Sequence, residues 1–281
     1  MLMSERFMDL APRQVYATLL EEGIYLCSVR TMYRLLASEQ AVRERRNVHR
    51  AGKYKKPELM AVRIKEVWTW DITFLKGPSR GIHYYLYVVL DIYSRCVVGW
   101  MLADRECQHL AEQLLKETCR NQGILPGQLC IHADRGASMK SQTVETLLLK
   151  LGVDKSHSRP HVSDDNPFSE AAFKTLKYCP QFPERFGSLE EAEQFCQEYF
   201  AWYNGAHHHT GLALLTPAQV HYGDPVVMLA ERYQVMLAAY EKCPSRFGYR
   251  RPRLEALPAA VYINPPSKTP VDEAGQPSRD A

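Results

Sequence analysis

Between residues 67 and 103 the chain makes three consecutive runs rich in aromatic and β-branched residues, at 67–75, 83–92 and 95–103, with only short connections between them. Such runs favour strands, and short connections permit only antiparallel neighbours. The first gap, Lys76-Gly77-Pro78-Ser79, is turn chemistry. Downstream the period changes. Residues 109–119 place Leu110, Leu114 and Leu115 on the apolar side of a helix. Residues 129–133 then read as a fourth strand, 142–151 as a helix stopped by Gly152, and 153–157 as a fifth strand. Two more helices are predicted at 166–177 and 189–203. A three-stranded meander followed by helix, strand, helix, strand, helix predicts an α/β domain built on a mixed five-stranded sheet.

The flanks read differently. Residues 11–40 predict two helices. Pro12 suits a first turn, Val15 and Leu19 share a face, and Gly23 is a stop. Ser28 is an N-cap for a second helix with Val29, Met32 and Leu36 inward. Arg30 and Arg34 then lie on other faces, available to DNA in a helix-turn-helix-like arrangement. The chain therefore divides into a helical segment (1–42), a basic linker (43–66), the α/β core (67–223) and a C-terminal extension (224–281). Residues after 258 are Pro-rich and read as an extended or disordered tail.

Charge sharpens this division. The net charge of +3 splits into +5 over 1–66, −3 over 67–223 and +1 over 224–281. Arg45, Arg46 and Arg50 sit in the densest basic stretch, and Arg246, Arg250, Arg251 and Arg253 form a second cluster interleaved with Phe247 and Tyr249. Basic stretches of this kind suit a phosphate backbone or a solvated linker. With 46% hydrophobic and 24% charged residues the composition is that of a folded soluble protein. No uninterrupted apolar run approaches the ~20 residues of a membrane helix, and residues 1–10 lack a signal-peptide apolar region. The expectation is a cytoplasmic protein with no membrane partner. None of the eight cysteines forms a C-x-x-C pair, so they read as reduced, structural residues.

An acidic middle in a chain with basic flanks draws attention to its carboxylates. Asp71 stands in mid-strand, where Asp is disfavoured and costly to bury unpaired. Asp134 follows the apolar run 129–133 at a strand's carboxyl end, where ligands gather in α/β sheets. Glu170 falls in the first turn of a helix, where the helix dipole favours its charge. Three acids from separate elements could meet on hard divalent cations, which take oxygen ligands and serve phosphoryl transfer. Asp91, Asp164 and Asp165 are rivals, and side-chain chemistry alone does not choose between them.

A family resemblance carried by the motifs around these acids does choose. Trp70-Asp71-Ile72-Thr73, His132-Ala133-Asp134-Arg135-Gly136 and Asp164-Asp165-Asn166-Pro167-Phe168-Ser169-Glu170 follow one another, with 35 residues between Asp134 and Glu170. Trp202-Tyr203-Asn204, His207, His209, Gly211-Leu212 and Leu215-Thr216-Pro217 come after them. In order and spacing the chain resembles the second-frame proteins of bacterial insertion sequences, DDE transposases related to retroviral integrases. The resemblance implies a ribonuclease H-like fold and cleavage and strand joining of DNA with Mg²⁺ or Mn²⁺, two ions being held by Asp71, Asp134 and Glu170. It further implies that Lys174 and Lys177, on one helical face with Glu170, contact the element's end, and that Asn166 and Pro167 shape the active-site loop. The implied partners are DNA (element ends and target), an upstream-frame protein or a frameshift fusion with it, and further protomers on DNA, with nucleoid association when bound. The chain departs from the family pattern in Ala133, where Ser is common, and in lacking an Arg just before His207.

Other signals are weaker. Consecutive His207, His208 and His209 point in different directions with no acid or cysteine at ligand spacing, which argues against zinc. No nucleotide-binding G-x-x-x-x-G-K-[ST] loop occurs. Two other readings stay open: a nuclease of the same fold that cuts without joining, and a non-catalytic DNA-binding regulator or decayed transposase.

Overall fold

In the core of the computed structural model a ten-residue strand, β2 (Val67–Lys76), takes neighbours on both edges. The structure describes residues 1, 2, 4, 6, 7, 12–38, 56–136, 138–160, 162 and 165–265. It divides into two compact units, 1–53 and 54–281.

In the first unit, α1 (Pro12–Glu21) and α2 (Val29–Ser38) close on Phe7, Val15, Leu19 and Met32. The Ser28 hydroxyl accepts the Thr31 amide at 3.3 Å, the N-cap read from sequence. Arg30 and Arg34 are exposed. Arg45, Arg46 and Arg50 lie outside the described residues.

In the second unit, β3 (His83–Asp91) runs antiparallel to β2, and β4 (Val97–Ala103) antiparallel to β3. On the other edge β5 (Cys130–Ala133) runs parallel to β2, and β6 (Asp154–His157) parallel to β5. The order β4-β3-β2-β5-β6 is the mixed five-stranded sheet read from the sequence. Side chains alternate across it. Trp68, Trp70, Tyr87 and Val89 pack with α3 (Gln108–Asn121) and α4 (Gln142–Leu151) on one face. Leu75, Leu86, Val88 and Leu90 pack with α5 (Pro167–Lys177) and α6 (Leu189–Gly205) on the other. Trp68 and Trp70 are fully buried, and truncating either to Ala would cost roughly 3–5 kcal/mol. Gly152 caps α4 at φ 64°, in the left-handed region where glycine pays no Cβ penalty.

Two features depart from the sequence reading. Residues assigned to the basic linker and to the Pro-rich tail form strands β1 (Leu59–Ala61) and β7 (Val261–Ile263), which pair antiparallel, Leu59 with Ile263. Apolar burial explains it: Ala61, Val261 and Ile263 pack with Val67 and Ile92 in a small core of their own. The C-terminal extension also carries α7's neighbour. After α7 (Pro217–Tyr222), the 18-residue helix α8 (Pro225–Lys242) is capped by Asp224, whose carboxylate accepts the Val226 and Val227 amides. No helix among the described residues is long and apolar enough to cross a membrane.

Candidate active site

The sheet itself brings the first two acids together. In the parallel ladder Trp70 pairs with Ala133. Asp71 and Asp134 each follow that pair by one residue, so they leave adjacent strands side by side. Alternation turns Asp71 away from the Trp68 and Trp70 face and toward α5. The helix is fixed to that face by the buried hydroxyl of Ser169, which donates to the Thr69 hydroxyl at 3.0 Å. The next residue, Glu170, lies in the first turn of α5. Arg95 lies over the Phe168 ring at 4.1 Å and braces the start of the same helix.

Asp71 accepts one hydrogen bond, from the Ile72 amide at 2.8 Å. Its carboxyl is pushed up to about 7, first by burial and then by the neighbouring charges of Asp134 and Glu170. Lys177 sits in the same field: partial burial lowers its ammonium, and Asp71 pulls it back up. Asp134 accepts the Ser158 hydroxyl at 2.6 Å. Asn166 is the N-cap of α5, almost fully buried, and both polar atoms of its side chain lack a partner among the described residues. Glu170, Lys174 and Lys177 line one open depression of about 560 Å³ with Thr73.

Of the residues picked from sequence, Asp71, Asp134, Glu170 and Lys177 thus share one electrostatic field beside the middle of β2, Lys174 lines the same depression as Glu170 and Lys177, and Asn166 caps the helix that carries them. Arg30 and Arg34 belong to the other compact unit. Of the rival acids, Asp164 is outside the described residues, while Asp91 and Asp165 are fully buried and engaged by the protein's own donors. Sequence reasoning passed over the second row of the site: Ser158, Arg159, His132 in its hydrogen-bonding role, and Asn264. No local pattern marks them, since the Asn264–Asp165 contact spans 99 residues.

The donor set suits a hard divalent cation. It offers carboxylate oxygens whose mutual repulsion a cation would relieve, with Asp71 pushed up to about 7 chiefly by burial and then by the charges of Asp134 and Glu170. Among the described residues no three His, Cys, Asp or Glu side chains stand close enough to cage an ion by themselves. Mg²⁺ keeps several waters and needs fewer protein oxygens than a cage supplies.

Residues 62–163 match one Integrase core domain family and residues 151–217 match a second of the same description. The transposase of insertion sequence IS904 from Lactococcus lactis is 31% identical over 153 residues, 54% of this chain and 59% of the relative. The putative transposase InsK of IS150 from Escherichia coli is 26% identical over 163 residues, 58% of this chain and 56% of the relative. The chain thus spans somewhat over half the length of the curated relatives it matches. Among solved structures, the catalytic core of HTLV-2 integrase in complex with magnesium is 16% identical, with TM-score 0.43, over 57% of this chain and 99% of that one. A chain of the simian T-cell lymphotropic virus intasome in complex with PP2A regulatory subunit B56 gamma is 19% identical, with TM-score 0.49, over 76% of this chain and 75% of that one. The two domain matches together run from residue 62 to 217, and over that stretch the chain carries an Integrase core domain and is similar to insertion-sequence transposases.

Proposed function

We propose that this chain is the catalytic subunit of an insertion-sequence transposase, a polynucleotidyl transferase that cuts DNA at the element's ends and joins the freed 3′-OH to target DNA. The observation that carries the reading is Asp71. It is a carboxylate set in mid-strand beside two others, with one amide for a partner and a proton affinity raised to about 7. A protein holds such a group where a ligand supplies the missing charge. Asp71, Asp134 and Glu170 would hold Mg²⁺ or Mn²⁺, two ions in the full reading. Bound there, the metal would supply activation of a water or a DNA 3′-OH and stabilisation of the leaving oxygen.

The chain's own residues have separate tasks. Asp71 and Asp134 would hold a cation from adjacent strands. Glu170 would join them from α5, a helix fixed to the sheet by the Ser169–Thr69 contact. Lys174 and Lys177, one and two turns further along, face the same depression and neutralise phosphates of the element's end. Asn166 shapes the loop that leads into α5. The 1–42 helical segment with Arg30 and Arg34, and the basic stretch with Arg45, Arg46 and Arg50, would add backbone contacts outside the catalytic core. Pairing two ends requires more than one protomer, and an upstream-frame protein or fusion would supply end recognition.

The test uses the purified full chain and a labelled duplex carrying the host element's ends. Nicking and joining are followed in Mg²⁺, Mn²⁺ or EDTA, beside a fusion to the upstream frame. Metal-dependent joined products from either protein support the reading. DNA binding without cleavage from both would replace it with a DNA-binding regulator or a decayed transposase, and cutting without joining would replace it with a nuclease.

A further inference from the structure

The C-terminal strand reaches back to the acidic site. Asn264 follows β7 at φ 54°, a left-handed conformation that Asn tolerates better than most residues. This turns its side chain onto Asp165, whose carboxylate accepts the Asn264 amide at 2.7 Å. Asp165 is fully buried and saturated. It also accepts the Arg159 backbone amide at 2.8 Å, Arg159 Nε at 2.9 Å and Arg159 Nη2 at 3.0 Å. Those contacts draw together the two ends of the segment from 159 to 165. On one side of it lies Ser158, and on the other Asn166, where α5 begins.

A second set of bonds runs inward from the same residue. The Asp165 carbonyl lies 2.8 Å from His132 Nε2, so that nitrogen must carry the proton. His132 Nδ1 is then free to accept the Ser156 hydroxyl at 3.1 Å. Ser158 Oγ stands 3.2 Å from the protonated Nε2 and gives its own proton to Asp134 Oδ1 at 2.6 Å. An unbroken path therefore runs from Asn264 through Asp165, His132 and Ser158 to Asp134. On it the one Nε2 hydrogen of His132 is shared between the Asp165 carbonyl and Ser158 Oγ, and within Asp165 the path crosses from the carboxylate to the main-chain carbonyl. Its first member lies outside the stretch matched by the integrase-core families, which ends at residue 217.

We propose that Asn264 is a positioning residue: through Asp165, His132 and Ser158 the C-terminal strand sets the place of the Asp134 carboxylate and hence the affinity of the acidic site for a divalent cation. The role rests on the reading of Asp71, Asp134 and Glu170 as cation ligands. Residues that orient metal ligands through hydrogen bonds change affinity by roughly 10- to 100-fold when removed.

The experiment uses the full chain with Mn²⁺ as probe, in wild type, Asn264→Ala, Asn264→Asp and Tyr262→Ala. Tyr262 is the exposed residue of the same strand and controls for general loosening of β7. Mn²⁺ affinity is measured by titration calorimetry, the His132 ring by ¹⁵N NMR, and folding by urea midpoint. Asn264→Ala is expected to weaken Mn²⁺ binding about 10-fold and to shift the His132 ring signals. Asn264→Asp, which sets a second carboxylate against Asp165, is expected to do more, and Tyr262→Ala to leave both readouts as in wild type. Wild-type Mn²⁺ affinity in both Asn264 variants overturns the proposal, as does equal weakening in Tyr262→Ala. A wild-type chain that binds no Mn²⁺ removes the cation-site reading and the affinity role with it. The His132 signals then judge the hydrogen-bonded path alone: a shift in Asn264→Ala only upholds the path, and unchanged signals overturn it.

Discussion

Two aspartates on neighbouring strands receive opposite treatment. Asp91, at the end of β3, is fully buried and accepts five donors: the amides of Lys65, Tyr93 and Ser94, the Trp68 indole and the Ser94 hydroxyl. The Ser94 hydroxyl continues to His221 on α7 at 2.8 Å, and His221 to Gln122 at 3.1 Å. Asp71, in the middle of β2, receives one amide and faces two other acids. The difference separates a carboxylate that holds the fold together from one that the fold leaves for a ligand. A protein pays for burying charge by supplying donors. Beside Asp71 it sets two like charges and the half-buried Lys177, a balance that a bound cation would complete.

The largest effect that tests this contrast is on cleavage. Asp71→Asn, Asp134→Asn and Glu170→Gln should each lower metal-dependent nicking by at least about a thousandfold, roughly 4 kcal/mol of barrier. Gel-shift affinity for end DNA should be largely kept. Asp91→Ala should act the other way round. It strands buried backbone amides and an indole, and should cost ~3 kcal/mol or more in urea unfolding. Its loss of activity should only follow its loss of folded protein. A destabilised Asp71→Asn protein beside an unaffected Asp91→Ala protein would reverse the contrast.

A pH series sharpens it further. The folded-state proton affinity of Asp71 is raised, so its stabilising contribution is complete below the ordinary carboxylate range near 4 and is lost as pH rises through about 7. Without metal, Asp71→Asn should therefore be more stable than wild type at pH 8 and gain little at pH 4, as read by urea midpoints. His209 has the opposite sign. Burial lowers it to about 4, so the stability it protects is present above the ordinary value of 6.5 and is lost as pH falls from there toward 4. His209→Phe should flatten the acid limb of wild type.

The smaller expected effect concerns the lysines of α5. Lys177→Ala and Lys174→Ala should each weaken end-DNA binding about tenfold and reduce the salt slope by about one, uniformly across sequences. A sequence-dependent loss would mean base contact.

Much of this was legible in the chain. The meander, the two later strands and helices α3 to α6 announce themselves because each buries a stripe or alternation long enough to show a period. The strands β1 and β7 do not, since three residues carry no period and their partners lie some two hundred positions apart. Helix α8 was missed because Leu229 is its one buried residue among those described, which leaves no apolar stripe to read. At the site, motif order singled out Asp71, Asp134 and Glu170. It offered no means to see that Asp91 and Asp165 are satisfied acids, because their donors come from Lys65, Trp68, Arg159 and Asn264. Burial and donor supply are properties of the fold, and they sort carboxylates that sequence presents as equals.

The central claim is that Asp71, Asp134 and Glu170 perform the chemistry. The direct measurement is nicking of a labelled element-end duplex in Mn²⁺ by wild type, Asp134→Asn and Asp71→Asn, at equal concentrations of folded protein. The account predicts nicked product from wild type and none above the EDTA background from either variant. Nicking by Asp134→Asn at the wild-type rate would contradict it.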